Sequence, residues 1–238
     1  MNPIRSVYLG CDTGEAADAA GLRREAELLQ HVSMVHVACG GHAGDEKSMR
    51  TAVSNALRQG CSIGAHPSYP DREGFGRIPM DMKRSPLERS IRLQLQSLIT
   101  ESESHGARIS HTKAHGALYH AISADAELAG WFYAINAELI PDVSIVLPIG
   151  SNAIDSLRRA GISVLVEGFC DRAYEADGTL RPRHLEDALI CDPDQAADQA
   201  ERLVDEHQCD LLCVHGDTAG ASQIASAVST RLRINAGD

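Results

Sequence analysis

Short apolar runs alternate along the chain with amphipathic stretches, and a tight polar cluster follows almost every run. The apolar runs at 4–11, 34–39, 61–65, 107–112, 143–148, 162–166 and 209–214 read as strands. Helical periodicity lies between them. After Asp45, which has the character of an N-cap, Met49, Ala52, Val53, Ala56 and Leu57 follow one helix face until Gly60. Ser85-Pro86-Leu87-Glu88 reads as a capping box with proline at the first helical position, and Ile91, Leu95, Leu98 and Ile99 continue that helix. Further helices are expected at 21–30, at 124–139 with Leu128, Trp131, Ile135 and Leu139 on one stripe, and at 150–160. Two more follow at 194–207 and along the closing stretch marked by Ile224, Ala227, Val228 and Leu232.

Repeated strand-then-helix units imply an α/β fold with a parallel sheet and right-handed crossovers. Seven strands suit either an open doubly wound sheet or a closed barrel. An open sheet gathers its ligand at one switch point, whereas here polar clusters follow six of the seven strands. The expectation is therefore a (β/α) barrel of about seven parallel strands, one domain over 1–238, with its ligand at the carboxyl ends.

Composition narrows the function classes. A formal net charge of -11 argues against nucleic acid or an anionic membrane as a general partner. Seven cysteines, an odd number, with no CxxC pair and no apolar leader fit a reducing cytoplasm and argue against a cysteine-type zinc site. No stretch is apolar for long enough to span a bilayer.

The polar clusters carry the chemistry. Asp12 and Glu15 leave the first strand as two carboxylates suited to a metal, to water or to acid–base work, although either suits a helix cap equally well. His42 and His66 each follow a strand; with Asp12 they would form a two-histidine, one-carboxylate site for a divalent cation, the plainer alternative being structural hydrogen bonding. Lys113 and His115, one residue apart, share a face if extended, so an ammonium and an imidazole converge. Asp171, Arg172, Tyr174, Arg181 and Arg183 lie in one long loop, where an arginine suits a carboxylate or phosphate and Asp171 with Arg172 suits an internal ion pair. His215 and Asp217 end the last strand. The tract from Gly40 to Gly44 could offer backbone N–H groups to an anion, but neither a GxxxxGK[ST] loop nor a GxSxG elbow is present.

Taken together, the tracts CDTGE, ACGGHAGD, GAHPSYPDREGFGR, HTKAHGALYH, EGFCDRAYEADGTLRPR and VHGDTAGA resemble the lactam-utilisation family, equated with the A subunit of the bacterial 5-oxoprolinase. They run in order from residue 11 to 220. The resemblance implies a barrel similar to the sugar deacetylase folds. It also implies ATP-dependent opening of 5-oxo-L-proline to L-glutamate with separate B and C subunits. ATP would be a co-substrate and a divalent metal ion a second candidate cofactor. Asp12, Glu15, His42, His66, Lys113 and His115 are the expected catalytic groups. Arg77, Tyr119, Glu167, Asp171, Arg172, His215 and Asp217 are expected to bind substrate. The chain is a divergent member: Gly10 stands where the family has Asn, Gly41 where it has Phe, Ala114 where it has Pro and His120 where it has Asn. Two other function classes suit the same residues, a metal-dependent deacetylase or amidohydrolase using Asp12, His42 and His66, and a non-catalytic substrate-binding subunit.

Overall fold

A computed structural model describes residues 7–207 and 209–234. Seven strands, β1 (Tyr8–Thr13), β2 (Met34–Ala38), β3 (Ser62–His66), β4 (Ile109–Thr112), β5 (Ser144–Pro148), β6 (Val164–Phe169) and β7 (Leu211–Cys213), pair in chain order and all in parallel. β7 pairs with β1 through Tyr8 opposite Leu211, which closes the barrel. Helices α1 (Ala19–Leu28), α2 (Glu46–Gln59), α3 (Arg84–Ser104), α4 (Gly116–Ala124), α5 (Ala126–Leu139), α6 (Ile154–Arg159), α7 (Pro193–His207) and α8 (Ala221–Leu232) surround it. Among the described residues no helix is long and apolar enough to cross a membrane.

Strand periodicity divides the side chains between two regions. Leu9 and Cys11, Val35 and Val37, Ile63 and Ala65, and Ile145 and Leu147 turn outward into the main core shared with the helices. The alternate positions turn inward. At the amino end of the barrel Met34, Val146 and Leu211 pack as a small apolar plug with Tyr8 and Leu165. Above it the interior becomes polar: His36, His111, Lys113 and Glu167 are all buried. The His36 and His111 rings meet with Nδ1 and Nε2 3.0 Å apart. Gly64 makes room for this pair, because a Cβ there would overlap the His111 ring.

Most expected elements form, with some differences. β6, expected at 162–166, runs from Val164 to Phe169, so Glu167 lies within the strand and not after it. β1 runs on to Thr13, and positions 4–6 of the expected first strand lie outside the described residues. The capping box expected at Ser85 is absent: α3 starts two residues earlier, at Arg84, no side chain caps it at Lys83, and Ser85 Oγ accepts from Arg89 while Glu88 pairs with Arg92. A capping box does form one helix earlier, where the Asp45 and Ser48 side chains each accept from the other's backbone N–H. The helix expected at 124–139 forms as α5 from Ala126, and a further helix, α4, not expected from the sequence, precedes it. Asp125 breaks the run, its carboxylate accepting from Glu127 and Leu128 N–H to start α5. The buried face of α5 is Ala129, Phe132, Ile135 and Asn136; the expected stripe of Leu128, Trp131 and Leu139 is only partly buried beside it. α6 is shorter than expected, beginning at Ile154 after a turn at Asn152 and Ala153.

Gly64→Ala is expected to lower stability by about 1–3 kcal/mol through overpacking, read as a fall in the urea midpoint. The same change should cost much less in a His111→Ala background. An equal cost in both would show that the imidazole is not what excludes the methyl group.

Candidate active site

The polar strand ends surround one cavity of about 400 Å³. Its walls include Asp12, Glu15, His66, Lys113, His115, Tyr119, Arg172, Arg183 and His215, with the more exposed Arg77 and Asp217 nearer the mouth. Ten of the expected site residues therefore line one space along with Arg183, and His42, Glu167 and Asp171 support it from behind.

Lys113 organises the floor. β4 ends at Thr112, so Lys113 and His115 lie just past the strand, and both are nevertheless buried at the cavity. The Lys113 ammonium donates to Asp12 Oδ1 at 3.0 Å and lies 2.8 Å from Glu167 Oε1. Against the effect of burial, Asp12, Cys213 and Glu167 hold the ammonium well above the ordinary lysine value. Burial likewise opposes ionisation of Asp12, but His66 and Lys113 outweigh it and keep the carboxylate charged. Tyr119 donates its hydroxyl to Glu167 Oε2 at 2.5 Å, and burial beside that carboxylate raises the phenol.

Four groups meet beside this floor. Glu15, His42, His66 and His115 each present one ligand-type atom, and these atoms lie within 4.8 Å of one another. His42 Nε2 is 2.9 Å from Glu15 Oε1, and the His42 and His115 rings stack with centroids 3.6 Å apart. Burial, then His66, pushes His42 down to about 3; burial, then His66 and His42, does the same to His115. Burial and Asp12 raise Glu15. Asp12, expected with His42 and His66 as the ligand set, is held instead on Lys113, with its second oxygen 3.4 Å from His66 Nε2.

Neither Asp12 nor Glu15 caps α1; Asp18 does, through Gly21 N–H. The expected ion pair within Asp171-Arg172 does not form. Asp171 accepts from His215 Nδ1, His215 N–H and Thr218, while Arg172 donates to the Arg181 carbonyl. Asp217 is gripped by Arg183 at 2.6 and 2.9 Å and by Arg77 at 3.1 Å. The Gly40–Gly44 loop turns carbonyls outward, and Arg72 donates to both Gly40 O and Gly44 O.

Sequence reasoning missed two supports. Glu25, one turn from the end of α1, accepts from Thr13, Gly14, Glu15 and Ala16, so one carboxylate fixes the loop carrying Glu15. Phe75 places its carbonyl 2.9 Å from His115 Nε2 and its ring edge-on to His42 and His115. A lone glutamate on an amphipathic helix carries no signal in sequence. Phe75, between two glycines in a polar tract, was the more visible of the two.

A parallel barrel with a buried lysine–carboxylate floor at its carboxyl ends defines the class, a (β/α) barrel of enzyme type. The chain belongs to the LamB/YcsF family, whose model matches residues 7–237. It is 38% identical over 238 residues to the protein named as the A subunit of 5-oxoprolinase in Heliobacterium modesticaldum, covering 95% of this chain and 94% of that protein. The protein of the same name from Chloroflexus aggregans is 38% identical over 235 residues, covering 94% and 93%. The crystal structure of the lactam utilization protein from Thermus thermophilus superposes with a TM-score of 0.86 at 32% identity, covering 96% of each chain. A putative cellobiose-phosphate cleavage protein from Enterococcus faecalis, at 11% identity and TM-score 0.62 over 97% of this chain and 95% of that one, shares the fold alone.

Replacing Lys113 with Met leaves Asp12 and Glu167 buried without their counter-charge and is expected to cost about 3–5 kcal/mol. Adding Glu167→Gln should recover part of that loss in urea unfolding; a strictly additive double variant would refute the coupling. Below the floor, burial and then Lys113 push His111 down to about 3 from 6.5. The unfolded chain takes up a proton there that the folded chain refuses, so this contribution is intact above pH 6.5 and falls away as the pH drops toward 3. His111→Phe should flatten the acid slope of stability by up to about 1.4 kcal/mol per pH unit. An unchanged slope would show that the ring is not buried neutral.

Proposed function

We propose that this chain is the A subunit of an ATP-dependent 5-oxoprolinase, opening 5-oxo-L-proline to L-glutamate in the cytoplasm together with separate B and C subunits. The observation that carries this reading is the Lys113 ammonium, fixed between Asp12 and Glu167 at the bottom of a small cavity. Similarity over nearly the whole length to relatives that bear the name of the 5-oxoprolinase A subunit supports it. The seven free thiols support the cytoplasmic setting.

A lactam resists water because its nitrogen lone pair is delocalised into the carbonyl. Transfer of a phosphoryl group from ATP to the lactam oxygen ends that delocalisation. Water then adds to the ring carbon, the C–N bond breaks as the nitrogen takes a proton, and a second water splits the resulting acyl phosphate into carboxylate and phosphate. The phosphoryl group carries negative charge to the lactam oxygen, and a fixed ammonium is suited to stabilise it during the transfer. Neutral His115 and the raised carboxyl of Glu15 suit proton transfer from water and to the nitrogen. Arg172 is buried at the cavity with its Nε unpaired by protein, which suits the carboxylate of the substrate. Asp12, Glu167 and Tyr119 position Lys113, while Asp171 positions His215. Arg77 and Asp217 bind at the mouth.

A metal-dependent amidohydrolase is the second reading, favoured by the convergence of Glu15, His42, His66 and His115. One experiment separates the two. Purified chain mixed with B and C subunits, 5-oxoproline and ATP should release glutamate and ADP, and His115→Ala or Lys113→Met should slow turnover by about 10²–10⁴. Turnover without ATP selects the second reading. Unchanged turnover in both variants would reduce the chain to a substrate-binding subunit.

A further inference from the structure

The hydrogen bonds around His66 and His115 fix where their protons are. His66 Nδ1 lies 2.8 Å from the Lys113 carbonyl oxygen, and His115 Nε2 lies 2.9 Å from that of Phe75. A carbonyl oxygen only accepts, so each of these two nitrogens carries a hydrogen. In a neutral imidazole the other nitrogen is then a bare lone pair. Those remaining nitrogens, His66 Nε2 and His115 Nδ1, face each other 3.0 Å apart.

Two lone pairs at that distance repel, and the surroundings make matters worse. Asp12 Oδ2 lies 3.4 Å from His66 Nε2, and Glu15 Oε1 lies 3.5 Å from His115 Nδ1. Asp12 has its other oxygen on Lys113, which leaves this one turned toward the histidines. The point where these atoms meet is buried and electron-rich, and the nearby ammonium of Lys113 is already held by Asp12 Oδ1 and Glu167.

We propose that a divalent transition-metal cation of the zinc class sits there, bound by Glu15 Oε1, His66 Nε2 and His115 Nδ1, with His42 Nε2 as the fourth ligand. Imidazoles plus one carboxylate are the donor set that zinc and its neighbours prefer. Metal-bound histidines typically donate their other ring N–H to a carbonyl or carboxylate, as His66 and His115 both do here. The backbone is also built for it. Phe75 adopts a left-handed φ of 53°, unfavourable for a residue with a bulky side chain, and in that conformation presents its carbonyl to His115. When bound, such a cation supplies Lewis-acid polarisation beside Lys113. One extra proton shared by the two histidines is the competing account of the same geometry.

The test uses the full chain, stripped of metal with a chelator and titrated with Zn²⁺ by calorimetry and with Co²⁺ by visible absorption. The expected result is one equivalent bound, with ligand-field bands for Co²⁺, and affinity at least 10-fold lower in His66→Ala and His115→Ala. Cys191→Ser, which removes the exposed thiol, should bind like the parent. Thermal unfolding without metal shows which variants fold; if either histidine variant does not, Glu15→Gln and His42→Ala report on the same set. No stoichiometric binding by the parent chain, or binding unchanged in the folded variants, overturns the proposal in favour of the shared proton. These readouts involve neither ATP nor partner subunits, so the metal site and the 5-oxoprolinase reading can fail separately.

Discussion

A lysine ammonium inside a barrel must be matched by negative charge, and that requirement shapes the centre of this molecule. Lys113 draws Asp12 from the end of β1 and Glu167 from within β6 onto one point. Strands far apart in sequence are thereby tied at the level of the cavity floor. The same carboxylates reach further: Glu167 also receives the Tyr119 hydroxyl from α4, and Asp12 turns its second oxygen toward His66. One buried charge thus fixes the orientation of four neighbours.

Outside that centre, positioning is delegated to residues with no chemistry of their own to perform. Glu25 holds four consecutive loop positions from an outer helix, and Asp171 holds His215 and Thr218 at the end of β7. The departures from the family pattern are absorbed in the same way. Gly41 leaves space that the Gln94 side chain fills, pairing with Ser68 N–H and carbonyl. Gly10 faces Leu211 and His36, so the volume of a missing side chain is taken by neighbours rather than left as a void.

The barrel was legible in the sequence because six of its seven strands ended in polar residues that a core would not tolerate, too many for one switch point of an open sheet. Which polar residues meet was less legible. Lys113 and His115 announce themselves by spacing, yet nothing local says that Lys113 turns to Asp12 and Glu167 while His115 turns to His66 and Glu15. The helix after His115 was missed because its residues, Gly116 to Ala124, are apolar nearly all round and show no amphipathic stripe. The Ser85 cap was misplaced because a cap needs the right backbone entry as well as the right side chain, and the chain enters that helix at Lys83.

The apolar plug of Met34, Val146 and Leu211 makes the barrel a cup rather than a pipe. Whatever enters must leave by the same door, so arrival and departure cannot overlap. That door is framed by Arg77 and Arg183 reaching from different loops to the one carboxylate of Asp217. In a vessel with a single opening, the loops at the rim set how long a guest stays, however fast the chemistry below.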